Sequence, residues 1–156
     1  MDAAHFPAVV GEALDGTAFV APRDLAVGRT VAMIGFVLEH KPELESWVPY
    51  IDTLVRSRAD VRARLFIGLG APKWLRRGIV TAMKAAVHAP EQRSSTIPLF
   101  VDVEAFARSL GISDRAHLTL LLVEPDGRIT WRGSGPFSDA AGASLTSALA
   151  AKTPAA

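Results

Sequence analysis

No cysteine occurs anywhere in this sequence. Disulfides, thiolate metal sites and every thiol-based mechanism are therefore excluded, although the compartment is not fixed by that absence. Neither sign of charge dominates. The formal net charge is +1, and the basic residues are not interleaved with aromatic ones, so nothing points to a nucleic-acid partner. No uninterrupted apolar run reaches the roughly eighteen residues that would predict a transmembrane helix. The opening MDAAHFPAVVGEALDG lacks a basic start followed by an apolar run, which predicts no signal peptide. Glycine is present, but not as a phosphate-cradling loop. The pairs Gly68/Gly70 and Gly133/Gly135 lack the third glycine and the Lys-Ser/Thr that such a loop needs. No cofactor motif remains after these exclusions.

What is present is enough for a core. Apolar residues make up 49% of 156 positions, which excludes disorder as the main state and predicts one domain over 1–156. The clearest signal is HLTLLLVEPDGRITWRGSG, from His117 to Gly135. Leu118 to Val123 is apolar on both faces and reads as an interior strand. Pro125-Asp126-Gly127 reads as a turn, because Pro presets φ, Asp bonds its own backbone and Gly accepts positive φ. Arg128 to Trp131 then alternates polar and apolar, as a half-buried strand does.

Residues 6–30 predict a small hairpin, with Val9, Val10, Leu14, Phe19 and Val20 around Asp15-Gly16, followed by a loop or single helical turn. Residues 31–151 then form the core. Val31 to Leu38 predicts a buried strand. Pro42, Glu43 and Glu45 favour a helix start. Leu44, Trp47, Val48, Ile51, Leu54 and Val55 give that helix an apolar face to about Arg58, with Pro49 as a possible kink. Val61 to Leu69 reads as a strand. A second helix from Ala71-Pro72 carries the stripe Leu75, Ile79, Met83 and Val87. Glu91 to Thr96 reads as loop and Ile97 to Val101 as a short strand. Asp102 caps a helix that Gly111 stops, and Ser138 or Asp139 caps a last helix to about Ala151. Residues 152–156 are expected to fray. The helical crossover makes the first two main strands parallel.

Several residues have candidate chemistry. His40 beside Glu39, Glu43 and Glu45 suits a divalent metal if His5, His88 or His117 converge on it; otherwise it marks a solvated helix start. Ser46 is a nucleophile only with a base within reach, and no nucleophile-elbow motif surrounds it. Trp74 lies off the apolar stripe of its helix and is the best candidate for an exposed aromatic. Between Val61 and Pro90 there is no acid, while Arg62, Arg64, Lys73, Arg76, Arg77 and Lys84 all occur. Such a segment suits an acidic partner or an anionic membrane surface, or a helix face neutralised from elsewhere in the fold.

The order of elements resembles the thioredoxin-like fold with the N-terminal hairpin of its peroxiredoxin-like branch. Asp15-Gly16, Leu25 to Gly28 and LTLLLVEPDGRI carry the match. The resemblance implies an α/β domain, a central mixed sheet flanked by helices. It also places the redox site at Glu39 to Trp47, and the usual cis-proline near His117-Leu118. Both marks of thiol exchange are missing. A narrower likeness involves Ser46-Trp47, Asp126-Gly127-Arg128-Ile129, Trp131 and Gly135, with the early Phe6-Pro7 and Gly16. These are similar to the thioredoxin-like assembly factors of the mitochondrial ATP synthase, although Thr130 stands where that family often has a second Arg. That likeness implies a chaperone-like module without catalysis, in a mitochondrial or bacterial setting. The surface expected to meet its protein partner is Glu39, His40, Lys41 and Trp47 together with Lys73, Trp74, Arg76 and Arg77. The rival reading is a non-thiol or metal-dependent enzyme using His40, Glu43 and His117; a third is a structural domain without activity.

Overall fold

The computed structural model describes residues 5–36, 40–113 and 115–151. A five-stranded mixed sheet runs in the order β5-β4-β3-β6-β7. Its middle strand is β3 (Arg29–Gly35), buried along nearly its whole length, which explains the continuous apolar run there. β4 (Val61–Leu69) lies parallel to β3, with Met33 opposite Leu65, and β5 (Thr96–Phe100) lies parallel to β4. On the other side, β6 (Thr119–Val123) runs antiparallel to β3, and β7 (Ile129–Ser134) antiparallel to β6.

Two apolar layers cover the sheet. On one face Val31, Met33, Leu120 and Leu122 pack against Trp47, Ile51 and Leu54 of α1 (Lys41–Ser57) and Leu145 and Leu149 of α5 (Asp139–Ala150). On the other, Ala32, Ile34, Phe66, Leu121 and Val123 meet Phe106 and Ala107 of α4 (Val103–Ser109). The N-terminal hairpin, β1 (Val9–Glu12) with β2 (Ala18–Ala21), closes that second layer through Phe19 and Ala21. Each fully buried Leu, Ile or Phe contributes about 1.5–3 kcal/mol relative to exposure.

The local signals act as expected at the turns and caps. Asp126 accepts from the Arg128 N–H and Gly127 takes φ +91°. Asp102 accepts from the Ala105 N–H and Ser138 from the Ala141 N–H. Gly111, at φ +72°, closes α4: its N–H donates to Arg108 O and the Ile112 N–H to Ala107 O.

Three readings need correction. β3 begins at Arg29 and ends at Gly35, earlier at both ends than Val31 to Leu38; Val37, Leu38 and Glu39 lie outside the described residues, as do 152–156. The stretch read as loop holds α3 (Pro90–Ser95), and β5 begins at Thr96. There Pro90 opens the helix, and the Ser94 and Ser95 hydroxyls donate back to the Glu91 carbonyl. The apolar stripe on α2 (Lys73–Ala86) is not a core face, since none of its residues is fully buried. Pro49 sits inside α1 without ending it.

Candidate functional site

The loops after β3 and β4 open at the same end of the sheet, because the two strands are parallel. His40 sits at the start of α1. Its Nδ1 accepts from the Phe36 N–H at 3.3 Å, so Nε2 carries the proton and donates to Arg115 O at 2.9 Å. The ring is only 3% exposed. His40 thus fastens the β3–α1 turn to the chain entering β6, and both of its nitrogens are committed. It is neither a solvated helix start nor a side chain presented to a partner.

One turn later, Glu43 turns toward the same segment. Its carboxylate accepts the Leu118 N–H at 3.3 Å and lies 3.1 Å from His117 Nδ1. Leu118 stands where the resemblance places a cis-proline; a proline would have no N–H to give Glu43. The Glu43–His117 half of the expected metal or enzyme constellation therefore exists, but His40 does not join it. Among the described residues no group of three metal-binding side chains gathers.

Trp47 is fully buried. Its Nε1–H donates to Gly135 O at 3.0 Å, and the Gly135 N–H donates to Leu118 O at 2.9 Å. Its ring meets Phe137 edge-on at 5.1 Å. Ser46 donates to Glu43 O and accepts the Phe137 N–H, so its hydroxyl is doubly engaged and touches no base. The stretch expected to form half of the partner surface is thus mainly an internal brace, holding α1 to the entries of β6 and α5. Lys41 is exposed and pairs with Glu45 at 3.8 Å. Glu39 lies outside the described residues.

The basic helix is built differently. Arg76 donates from Nε to Ala71 O at 3.0 Å and lies over the Phe100 ring at 5.2 Å. At the other end, Arg93 donates to Val87 O and Lys84 O, both at 2.6 Å. α2 is therefore held by an arginine at each end rather than by a buried face. Arg76 belongs to that fastening through its Nε, and its side chain is half-buried. Lys73 and Arg77 are exposed, and neither has an ion-pair partner among the described residues. Trp74 is 81% exposed and Leu75 40%.

Sequence reasoning did not find the Glu43–Leu118 bond or the Trp47–Gly135 bond. Both join residues far apart in the chain, and neither leaves a local signal.

No family model and no curated protein matches the chain. Solved structures do. Yeast Sco1 with copper bound superposes with a TM-score of 0.66 at 14% identity, over 99% of this chain and 97% of that one. BsSco, a member of the Sco family of cytochrome c oxidase assembly proteins, gives 0.64 at 12% identity, over 94% and 92%. The thioredoxin domain of a thiol-disulfide oxidoreductase from Bacteroides vulgatus gives 0.58 at 15% identity, over 94% and 97%. At such identities the likeness is one of architecture. The chain has the thioredoxin-like fold, a mixed sheet flanked by helices with an N-terminal antiparallel hairpin, and it carries no cysteine.

Proposed function

We propose that this chain is a non-redox protein-binding module that assists the assembly of a membrane complex such as the ATP synthase. The observation that carries this reading is Trp74, four-fifths exposed at the start of a basic helix, next to the end of the sheet where this fold places its redox chemistry. Thiol exchange is excluded by composition. In its place stand internal hydrogen bonds among Glu43, His117 and Leu118. An exposed Trp with unpaired basic neighbours is the kind of group that anchors a protein interface, the aromatic supplying contact area and the charges supplying steering. BsSco offers a precedent for assembly work on this architecture. The short likeness around Ser46-Trp47 and Asp126 to Trp131 is what narrows the proposal to the ATP synthase.

The contact residues in this reading are Lys73, Trp74 and Arg77, with Lys41 exposed at the start of α1; His40, Trp47 and Arg76 act by holding the loops in place. The test is affinity capture from detergent-solubilised membranes of the source cell, comparing the wild type with Trp74→Ala/Arg77→Glu. Enrichment of membrane-complex subunits that the variant loses supports the proposal. A capture indistinguishable from an unrelated bait overturns it.

A further inference from the structure

A second feature lies toward the opposite end of β4 from the loops just described. Arg62 and Arg64 are two apart on this strand, so both project from the same face. With Phe19, Asp24, Thr17 and Ser94 they line a cleft of about 230 Å³ under the N-terminal hairpin. Neither arginine has an ion-pair partner among the described residues. The Arg64 guanidinium lies over the Phe19 ring at 5.0 Å. Its Nε is shielded from solvent and meets no acceptor. Burial, then the like charge of Arg62, pulls Arg64 below the usual arginine value. In the parallel register Thr30 stands beside Arg62, and its buried Oγ1 is also without a partner.

The cleft contains one carboxylate, and it is already occupied. Asp24 accepts from the Val20 N–H at 2.7 Å and from the Arg23 guanidinium at 3.1 and 3.2 Å. Asp15, which acts on Arg64 at longer range, accepts from the Thr17 N–H at 2.9 Å. Asp24 and Asp15 offset the Arg64 charge only from beyond ion-pair distance. Two guanidinium groups without an ion-pair partner among the described residues thus share one recess, and one of them holds a donor hidden from water. A buried donor left unmet is costly, and a guanidinium fork matches the oxygen spacing of carboxylate and phosphate.

We infer that this cleft is a binding site for an oxyanion, a carboxylate or phosphate group on a small ligand, received by Arg62 and Arg64. The volume is below the roughly 300–1,000 Å³ of pockets that enclose drug-sized molecules, so the ligand is compact. Phe19 supplies an apolar wall for the remainder of such a molecule. This site is independent of the partner surface on α2.

The experiment is calorimetric titration of the full chain with inorganic phosphate and, separately, with succinate, each against chloride at matched ionic strength. The same titrations are run on Arg62→Gln, a substitution at an exposed position, and on Arg64→Lys, which keeps charge but removes the fork. We expect saturable binding of at least one probe, weakened on the order of tenfold in either variant. Binding of phosphate alone assigns the site to phosphate, of succinate alone to carboxylates, and of both to the shared oxyanion. No saturable response beyond chloride overturns the inference, and so does binding that survives unchanged in both variants.

Discussion

Arg29 Nε lies 3.2 Å from each carboxylate oxygen of Glu124, and the two side chains are only 13% and 1% exposed. The same guanidinium donates to Leu149 O at 2.8 Å and Ala148 O at 3.4 Å, while Thr130 donates to Glu124 at 2.9 Å. One ion pair therefore joins the start of β3, the end of β6, β7 and the last turn of α5. The cation also sits where the negative end of the α5 dipole favours it. Removing Arg29 takes away the opposite charge that faces the buried Glu124 carboxylate. Arg29→Met is expected to destabilise the fold by about 3–5 kcal/mol. Urea unfolding checks this, with a lower midpoint and an unchanged slope.

The two neighbouring arginines of α2 have opposite expected outcomes. Arg76→Ala removes the bond to Ala71 O and the stacking on Phe100, so the helix loosens at its start. Limited proteolysis is expected to cut within α2 several times faster than in wild type. Arg77→Ala leaves the helix as resistant as before, because its side chain fastens nothing among the described residues. Equal protection in both variants would show that Arg76 does not hold the helix.

The three tryptophans separate by exposure, with Trp131 half-buried and bonded through Nε1 to Ser144 Oγ at 2.9 Å. Trp47 is fully buried and bonded, whereas Trp74 faces solvent. Iodide quenching of the fluorescence is expected to act mainly on Trp74, and Trp74→Phe removes most of the quenchable fraction. Trp47→Phe keeps the ring packing in part but leaves Gly135 O without its donor, at a cost of about 1–3 kcal/mol in unfolding free energy.

Acid sensitivity follows from Asp24. The Arg23 side chain and the Val20 N–H hold its carboxyl below 3.8. A group whose folded value is depressed stabilises the fold above its unfolded value, near 3.9, and loses that contribution as pH falls through the lower folded value. Wild type is therefore expected to be more stable than Asp24→Asn at about pH 6, and the gap to narrow at a pH below the unfolded value. Asp24 is only half-buried and its partner Arg23 is exposed, so the effect is small. Paired urea titrations at the two pH values measure it, and a gap that widens in acid would contradict the assignment.

Features specified within a few residues were legible in the sequence. The turn at Pro125 to Gly127 and the caps at Asp102 and Ser138 follow from side chains acting on nearby backbone, the stop at Gly111 from its freedom to take positive φ, and the bounds of β4 from its run of strand-forming residues ending before Gly70. The α2 stripe misled because a period of four reports which residues share a face, not whether another element covers it. The loop reading of 91–96 failed for a related reason. Pro90 and the serine back-bonds stabilise a turn of helix too short for an apolar pattern, and Arg93 ties it to the end of α2.

By itself, the sequence determined the exclusion of thiol chemistry, the alternation of strands and helices, and the acid-free basic segment. Each depends only on composition or on near neighbours. Tertiary structure alone decided which polar side chains are free. His40, Trp47 and Arg76 became internal fastenings while Trp74 and Arg77 stayed outside. The bonds that made this choice join residues 75, 88 and 95 positions apart: Glu43 to Leu118, Trp47 to Gly135 and Arg29 to Glu124. Such pairs form only once the packed sheet has met the cost of closing those loops, and no local pattern records them.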